Sequence, residues 1–225
     1  MSEAVKKSDR TREALVDGAL KLFRRRGFDG TTMRDIAAVA NMSLGAAYYY
    51  FRSKEEIVHA YYERVQERHE AAVPTRFADD ESLAERVRSI LQAKVAIVEK
   101  DRRFLGALFR FVAEPNHPLG IFAERTRDIR ERSVELFARA LEGIGPPDVE
   151  PELARRLAEA LWLAHLGILL FLLSDESPRL RRTYALANIV ADTSQKLLLL
   201  LSLPMARAMM LEFSRSLAKA INQED

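Results

Sequence analysis

Residues 31–54 read Thr-Thr-Met-Arg-Asp-Ile-Ala-Ala-Val-Ala-Asn-Met-Ser-Leu-Gly-Ala-Ala-Tyr-Tyr-Tyr-Phe-Arg-Ser-Lys, and this run leaves the backbone few options. Thr32 is suited to cap a first short helix, with Asp35 three residues later favouring its positive N-terminal end. Ile36, Ala37 and Ala40 give that helix an apolar face, and Ala37 is small enough for a second helix to cross closely. Asn41 falls where the chain must turn, and Asn is the best residue after glycine for a positive φ. Ser43 then caps a second helix, and Gly45 sits in its first turn. Phe51 anchors the far end, and Ser53 with Glu56 reads as a capping box opening a third helix. The pattern is a helix-turn-helix.

A further helix precedes it. Leu15, Ala19, Leu22 and Phe23 form its apolar stripe, and Gly27 is its expected stop after Arg24-Arg25-Arg26. From spacing alone an ordinary helical hairpin remains an alternative. Charge argues for more: residues 1–54 carry 11 Lys and Arg against 6 Asp and Glu, whereas residues 55–225 carry 24 against 27. A basic three-helix unit on a mildly acidic remainder suits a head that meets phosphate. Lys6, Lys7, Arg10 and Arg12 form a basic arm that lies along DNA or is a solvated terminus; Arg24 to Arg26 read as a solvated helix end.

Thr11 to Glu56 resembles the N-terminal domain of the TetR family of bacterial one-component regulators. The matching pieces are Thr11-Arg12-Glu13-Ala14-Leu15, Ala19-Leu20-Lys21-Leu22-Phe23, Gly27-Phe28, Thr31 to Ala37, Ser43, Gly45, Tyr48-Tyr49-Tyr50-Phe51 and Ser53-Lys54-Glu55-Glu56. The resemblance implies an all-α fold: a three-helix DNA-binding domain, residues 1–52, and a larger helical effector-binding and dimerisation domain, residues 53–225. It also implies a four-helix bundle across a twofold axis. Asn41 replaces the family's turn glycine, and Gly18 replaces an alanine of the first helix. The recognition helix departs further: Leu44-Gly45-Ala46-Ala47-Tyr48 stands where the family carries Lys-Gly-Thr-Leu-Tyr, so hydrogen-bonded base readout by positions 44 and 46 is thin. The expected DNA-binding set is Thr32, Arg34, Ser43, Leu44, Gly45, Ala46, Tyr48, Tyr49 and Lys54. Thr32, Tyr48, Tyr49 and Lys54 are assigned to phosphates, Arg34 to a guanine edge or phosphate, and Ala46 to thymine methyls. Tyr50 is assigned to packing.

Beyond Ser53 the sequence reads as long helices: about 54–72, 81–100, 103–113, 119–142, 152–174, 179–202 and 204–222. Ala160 to Leu173 is apolar on every side except for His165, and a helix apolar all round needs burial all round. A run this short of the ~20 residues of a membrane span points to a twin subunit rather than a bilayer. The expectation is a homodimer through helices at about 152–174 and 179–202, and hence a pseudo-palindromic operator in double-stranded DNA. On the helix read from Leu119, Thr126 and Ser133 interrupt an apolar stripe. Buried hydroxyls there anchor a ligand or satisfy themselves on the preceding turn. A mostly apolar small-molecule effector is expected among Phe104, Leu108, Phe109, Phe111, Phe122, Thr126, Ser133, Trp162 and His165.

With no cysteine there is neither a disulfide frame nor thiol chemistry. The polar start, Met1-Ser2-Glu3-Ala4, lacks an apolar leader, and a cytoplasmic chain is expected. His59, His69, His117 and His165 form no metal-ligand cluster in the sequence; His59 and Glu63, four apart on one helix, have a spacing that can hold a metal but more often marks a solvated pair. No catalytic residue, metal or cofactor is expected. The function expected is a ligand-responsive regulator, a repressor released by its effector. The alternative is a helical dimeric interaction or sensor protein with weak or lost sequence-specific DNA binding.

Overall fold

The computed structural model describes residues 3–112, 114, 117–144, 151–201, 203–210 and 212, with side chains from Ser8 onward and without those of residues 110 and 112. Among the described residues all regular structure is helical: α1 (Glu3–Arg26), α2 (Met33–Val39), α3 (Leu44–Tyr50), α4 (Lys54–Ala72), α5 (Leu83–Val98), α6 (Arg102–Val112), α7 (Arg127–Leu141), α8 (Pro151–Ser174) and α9 (Arg181–Leu200). Residues 204–210 are helical as well. The expected continuation of that last helix from residue 213 to about 222 lies outside the described residues. The side chains of Lys6 and Lys7 do too, but the backbone of that arm is the first part of α1.

The chain divides into two compact units, one of residues 1–68 and 98–130 and the other of residues 69–97 and 131–225. In the first, α1 stops at Gly27 (φ 77°), whose N–H donates to the Phe23 carbonyl at 2.9 Å. Leu15, Phe23, Ile36, Ala37, Ala47, Phe51 and Ile57 build its core, and Phe104, Leu108 and Leu119 complete it. Phe104 stacks on Phe23 at 5.1 Å and meets the Tyr61 ring edge-on at 5.4 Å. Asp101, nearly buried, accepts from Arg24 Nε at 2.6 Å and from the Tyr61 hydroxyl at 3.0 Å. Arg24 is exposed at the helix end, as expected, and is in addition tied to Asp101. Burial, and then the Asp101 carboxylate, push the Tyr61 phenol pKa well above its usual value.

One helix boundary differs from the sequence expectation. Residues 119–126 form turns ending in a 3₁₀ turn, Glu124–Thr126, and α7 begins only at Arg127. The turn is close enough to favour glycine at 120: a Cβ there would stand 3.0 Å from the Glu114 carbonyl oxygen and 3.1 Å from that of His117. The Thr126 hydroxyl donates to the Gly120 carbonyl at 2.6 Å, holding the turn closed.

In the second unit, Arg88 pairs with Asp192 at 2.5 Å and Gln92 donates to Asn188 at 2.9 Å, tying α5 to α9. The Arg86 guanidinium donates to the Glu142 and Ala78 carbonyls, both at 2.8 Å. Asp175 caps α9, accepting from the Thr183 N–H and hydroxyl at 2.9 and 2.7 Å. Burial opposes its ionisation, but these bonds and those from Ser177 hold its carboxyl well below the usual range. α8 buries one stripe, Leu153, Ala158, Trp162, His165, Ile168 and Leu172, at helical spacing. Its 24 residues, with a mean hydropathy of 1.9 over the most apolar window, are by length and composition enough to cross a membrane.

Candidate nucleic-acid interface and effector unit

The helix-turn-helix forms as its caps dictate. Thr32 accepts from the Asp35 N–H at 3.2 Å, and Asp35 accepts from the Thr32 N–H at 2.9 Å, a closed capping box. The hydrogen bonds from Thr32, more than the charges of Arg26 and Arg34, hold the Asp35 carboxyl below its usual range. Asn41 takes φ 54°, and the next N–H, that of Met42, returns to the Ala37 carbonyl at 2.9 Å. Ser43 accepts from the Ala46 N–H at 3.1 Å to start α3. Ser53 caps α4 through the Glu56 N–H, while the Glu56 carboxylate reaches the Arg52 N–H at 2.7 Å rather than that of Ser53. The box thus closes one residue further back than expected.

These caps orient the expected DNA-binding residues unequally. Arg34, Ser43 and Gly45 are exposed, Tyr48 is half exposed, and Tyr49 is 83% exposed. Tyr50 packs against the core, and Ala47 is buried. Leu44 also leans on that core, and Ala46 is half-buried. The Thr32 hydroxyl already donates to Asp35 at 2.6 Å, so its proton is committed within the cap. Lys54 turns inward, its ammonium 2.8 Å from the Phe28 carbonyl oxygen and 4.4 Å from the centre of the Phe28 ring. Arg12, which spacing could place only on a basic arm, stands over the Phe51 ring at 5.0 Å, near the end of α3.

The residues expected around an effector fall into both units. Phe104 and Leu108 lie in the core of the first, Phe111 packs against it, and Phe109 is half-buried. Thr126 is satisfied by loop carbonyls, and Phe122 is 66% exposed. Ser133, Trp162 and His165 belong to the second unit and are all buried. Phe137, one turn along α7 from Ser133 and on its face, meets the His165 ring at 5.9 Å. His69 stands 6.0 Å away on α4, and nothing in their separation along the chain hints that it joins His165. His59 donates to the Arg125 carbonyl across 2.7 Å, and among the described residues no group of three or more His, Cys, Asp or Glu gathers as a metal site. A separate apolar cleft of about 280 Å³ lies along α8 and α9, lined by Leu157, Leu161, Ala164, Ile189, Val190 and Leu197 among others.

An all-helical chain with an intact, solvent-facing helix-turn-helix has the build of a DNA-binding transcriptional regulator. Residues 15–61 match the family described as bacterial regulatory proteins, tetR family, and residues 86–209 match the tetracyclin repressor-like C-terminal domain. The chain belongs to the TetR family, whose members are DNA-binding regulators and not enzymes. It is 34% identical over 71 residues to the HTH-type transcriptional regulator TtgR of Pseudomonas putida, covering 32% of this chain and 34% of that one. It is 39% identical over 46 residues to the biofilm operon icaADBC HTH-type negative transcriptional regulator IcaR of Staphylococcus epidermidis, covering 20% and 25%. The matched stretch spans about a third of the first relative and a quarter of the second. A TetR transcriptional regulator from Nitrosomonas europaea shares the fold, with a TM-score of 0.64, 20% identity, and coverage of 81% of this chain and 96% of that one.

Proposed function

We propose that this chain is an effector-released repressor that binds a pseudo-palindromic operator as a homodimer, with residues 1–52 meeting DNA and residues 53–225 serving effector and dimer. The observation that carries the reading is the capped helix-turn-helix, which leaves Arg34, Ser43, Tyr48 and Tyr49 facing solvent while its other side is core. Arg34 and Tyr49 are the strongest DNA-binding candidates, with Ser43, Gly45, Ala46 and Tyr48 beside them. Half-buried Leu44 serves mainly to seat α3.

The twin subunit is supported by the apolar side chains that α8 and α9 leave exposed, Leu163, Leu170, Ile189, Leu197, Leu199 and Leu200. An exposed apolar surface of this kind marks an interaction face. A second copy covering it also accounts for an apolar α8 without a bilayer. The effector is assigned to the second unit, against Ser133, Trp162 and His165, with Phe137 an apolar neighbour 5.9 Å from the His165 ring. α4 follows the helix-turn-helix directly in the chain, and the reading takes it as the element through which the effector acts on the DNA-binding helices. A difference in effector affinity between two states worth ~1–3 kcal/mol suffices for release.

The test is selection of bound duplexes from a random library, followed by anisotropy at several salt concentrations. A palindromic consensus with steep salt dependence and two chains per site supports the reading. Binding that is flat with salt, or no enrichment after refolding, favours an interaction protein that has lost DNA.

A further inference from the structure

α3 carries no charged residue and no side-chain amide. Its inward side is Leu44, Ala47 and Tyr50, which pack on the core together with Phe51. At about 3.6 residues per turn the opposite side is Gly45 and Tyr49, one turn apart, flanked by Ala46 and Tyr48. Exposure agrees: Gly45, Tyr48 and Tyr49 are exposed, and Ala46 is half-buried. In the first turn this outward side therefore offers bare backbone at Gly45 and one methyl group at Ala46. The side-chain oxygen of Ser43 accepts from the Ala46 N–H at 3.1 Å and is engaged in the cap.

The protein's own packing does not account for Gly45. Its φ is not positive, and a Cβ there would meet nothing within 4 Å. Glycine weakens a helix relative to alanine, and here the fold gains nothing in return. What the missing side chain gives is room on the outer face, for a surface that comes closer to this turn than a Cβ would permit.

We propose that the first turn of α3 reads thymine, its C5-methyl group packing on Ala46 at a base edge that Gly45 lets approach. The inference rests on reading α3 as the helix that enters the major groove. Of the four bases only thymine shows a methyl group there, whereas guanine shows two acceptors and cytosine an amino donor. A base edge pressed on Gly45 and Ala46 loses its water. The thymine methyl gains from that, but guanine or cytosine is left with hydrogen-bonding groups that Ala46 cannot satisfy. The preference is thus part attraction and part penalty on the rivals. Arg34, exposed on α2, serves the hydrogen-bonded contacts that α3 lacks.

The test uses the full chain and the duplex enriched from a random library, beside copies in which deoxyuridine replaces each thymine in turn. Uracil keeps every hydrogen-bonding group of thymine and lacks only the methyl. At the contacted thymine the exchange should weaken binding about fourfold, and about fifteenfold when made in both half-sites. Ala46→Gly should bind the thymine and uracil duplexes alike. Gly45→Ala keeps the proposal falsifiable if Ala46→Gly fails to fold: it should melt no lower than the natural chain, yet bind the thymine duplex at least ~tenfold more weakly. Equal binding of thymine and uracil at every position, a uracil penalty unchanged in Ala46→Gly, or full affinity in Gly45→Ala overturns the proposal. A selected operator with no uracil penalty leaves the regulator reading standing, whereas no enriched duplex removes that reading and the proposal together.

Discussion

Lys54, at the first position of α4, caps the Phe28 carbonyl at 2.8 Å and lies 4.4 Å above the Phe28 ring centre. It staples the loop after α1 to the helix after α3, across 26 residues of sequence. A charge-assisted hydrogen bond contributes about 1.5–3 kcal/mol and an accompanying cation–π contact about 0.5–1 kcal/mol, less where water competes. Lys54→Met should therefore lower thermal stability by about 1–3 kcal/mol. Operator affinity measured well below the melting temperature should change less than about threefold, with its salt dependence unaltered. A salt slope reduced by about one would put the ammonium on a phosphate instead.

Arg34 and Tyr49 are expected to behave differently from Lys54, because each points to solvent from the helix-turn-helix. Arg34→Ala should weaken operator binding by about 1–3 kcal/mol and relax selectivity at one base position if it reads a base edge. Tyr49→Phe removes only a hydroxyl and should weaken binding by about 0.5–1.5 kcal/mol on every sequence alike. Neither change should move the melting temperature. Library selection repeated with each variant separates the two roles.

The turn rests on backbone geometry. Asn41 holds φ 54°, a conformation that costs an ordinary L-residue about 1–2 kcal/mol and a β-branched one more. Asn41→Gly should leave stability within about 0.5 kcal/mol, whereas Asn41→Val should lower it by about 2 kcal/mol. Urea denaturation measures both, and equal midpoints would show that the turn relaxes to accept a side chain.

Local signals were the legible part of this fold. Thr32, Asn41, Ser43 and Gly27 act on backbone within four residues, so their chemistry can be read directly from their order. The 119–126 segment shows the opposite case. Leu119, Phe122 and Thr126 keep helical spacing, yet the chain turns at Gly120, whose N–H donates to the His117 carbonyl at 2.8 Å, and α7 starts only at Arg127. Pairings over long separations, such as Arg24 and Tyr61 on Asp101 or His69 beside His165, have no local signature at all. The phenylalanines of α6 announced an apolar face without saying which core it completes, and Phe104 went to the first unit.

Acid should destabilise the second unit. Burial holds His69 at about 3, and His165 well below its usual value, against about 6.5 in the unfolded chain. Between these values the unfolded chain binds more protons, so the histidines' contribution is full above pH 6.5 and is lost as pH drops below it. At pH 5 the loss amounts to about 2 kcal/mol for His69 alone. Lys94, lowered by burial to about 7, works in the same direction at higher pH, so stability should climb from about pH 7 towards 10. Thermal unfolding across about pH 5–9 should show both slopes, with His165→Phe flattening the acid limb and Lys94→Met the alkaline one. A profile unchanged by both variants would assign the slopes to other groups.

Leu170 on α8 and Ile189 on α9 are 53% and 61% exposed, so replacing either costs the isolated chain little. In a dimer built on this face the same replacements bury a charge with no partner. Leu170→Glu and Ile189→Lys should each give a monomer in sedimentation velocity while keeping helical circular dichroism. In the proposed complex, losing the twin also separates the two helix-turn-helix units that a pseudo-palindromic operator would engage at once. Affinity for the full palindrome should then fall by about 10²–10⁴, the gain that linkage of two sites provides, while affinity for a single half-site stays put. A dimer that survives both substitutions would move the interface off α8 and α9, and a monomer that still binds the full palindrome tightly would show that the two half-sites are not read together.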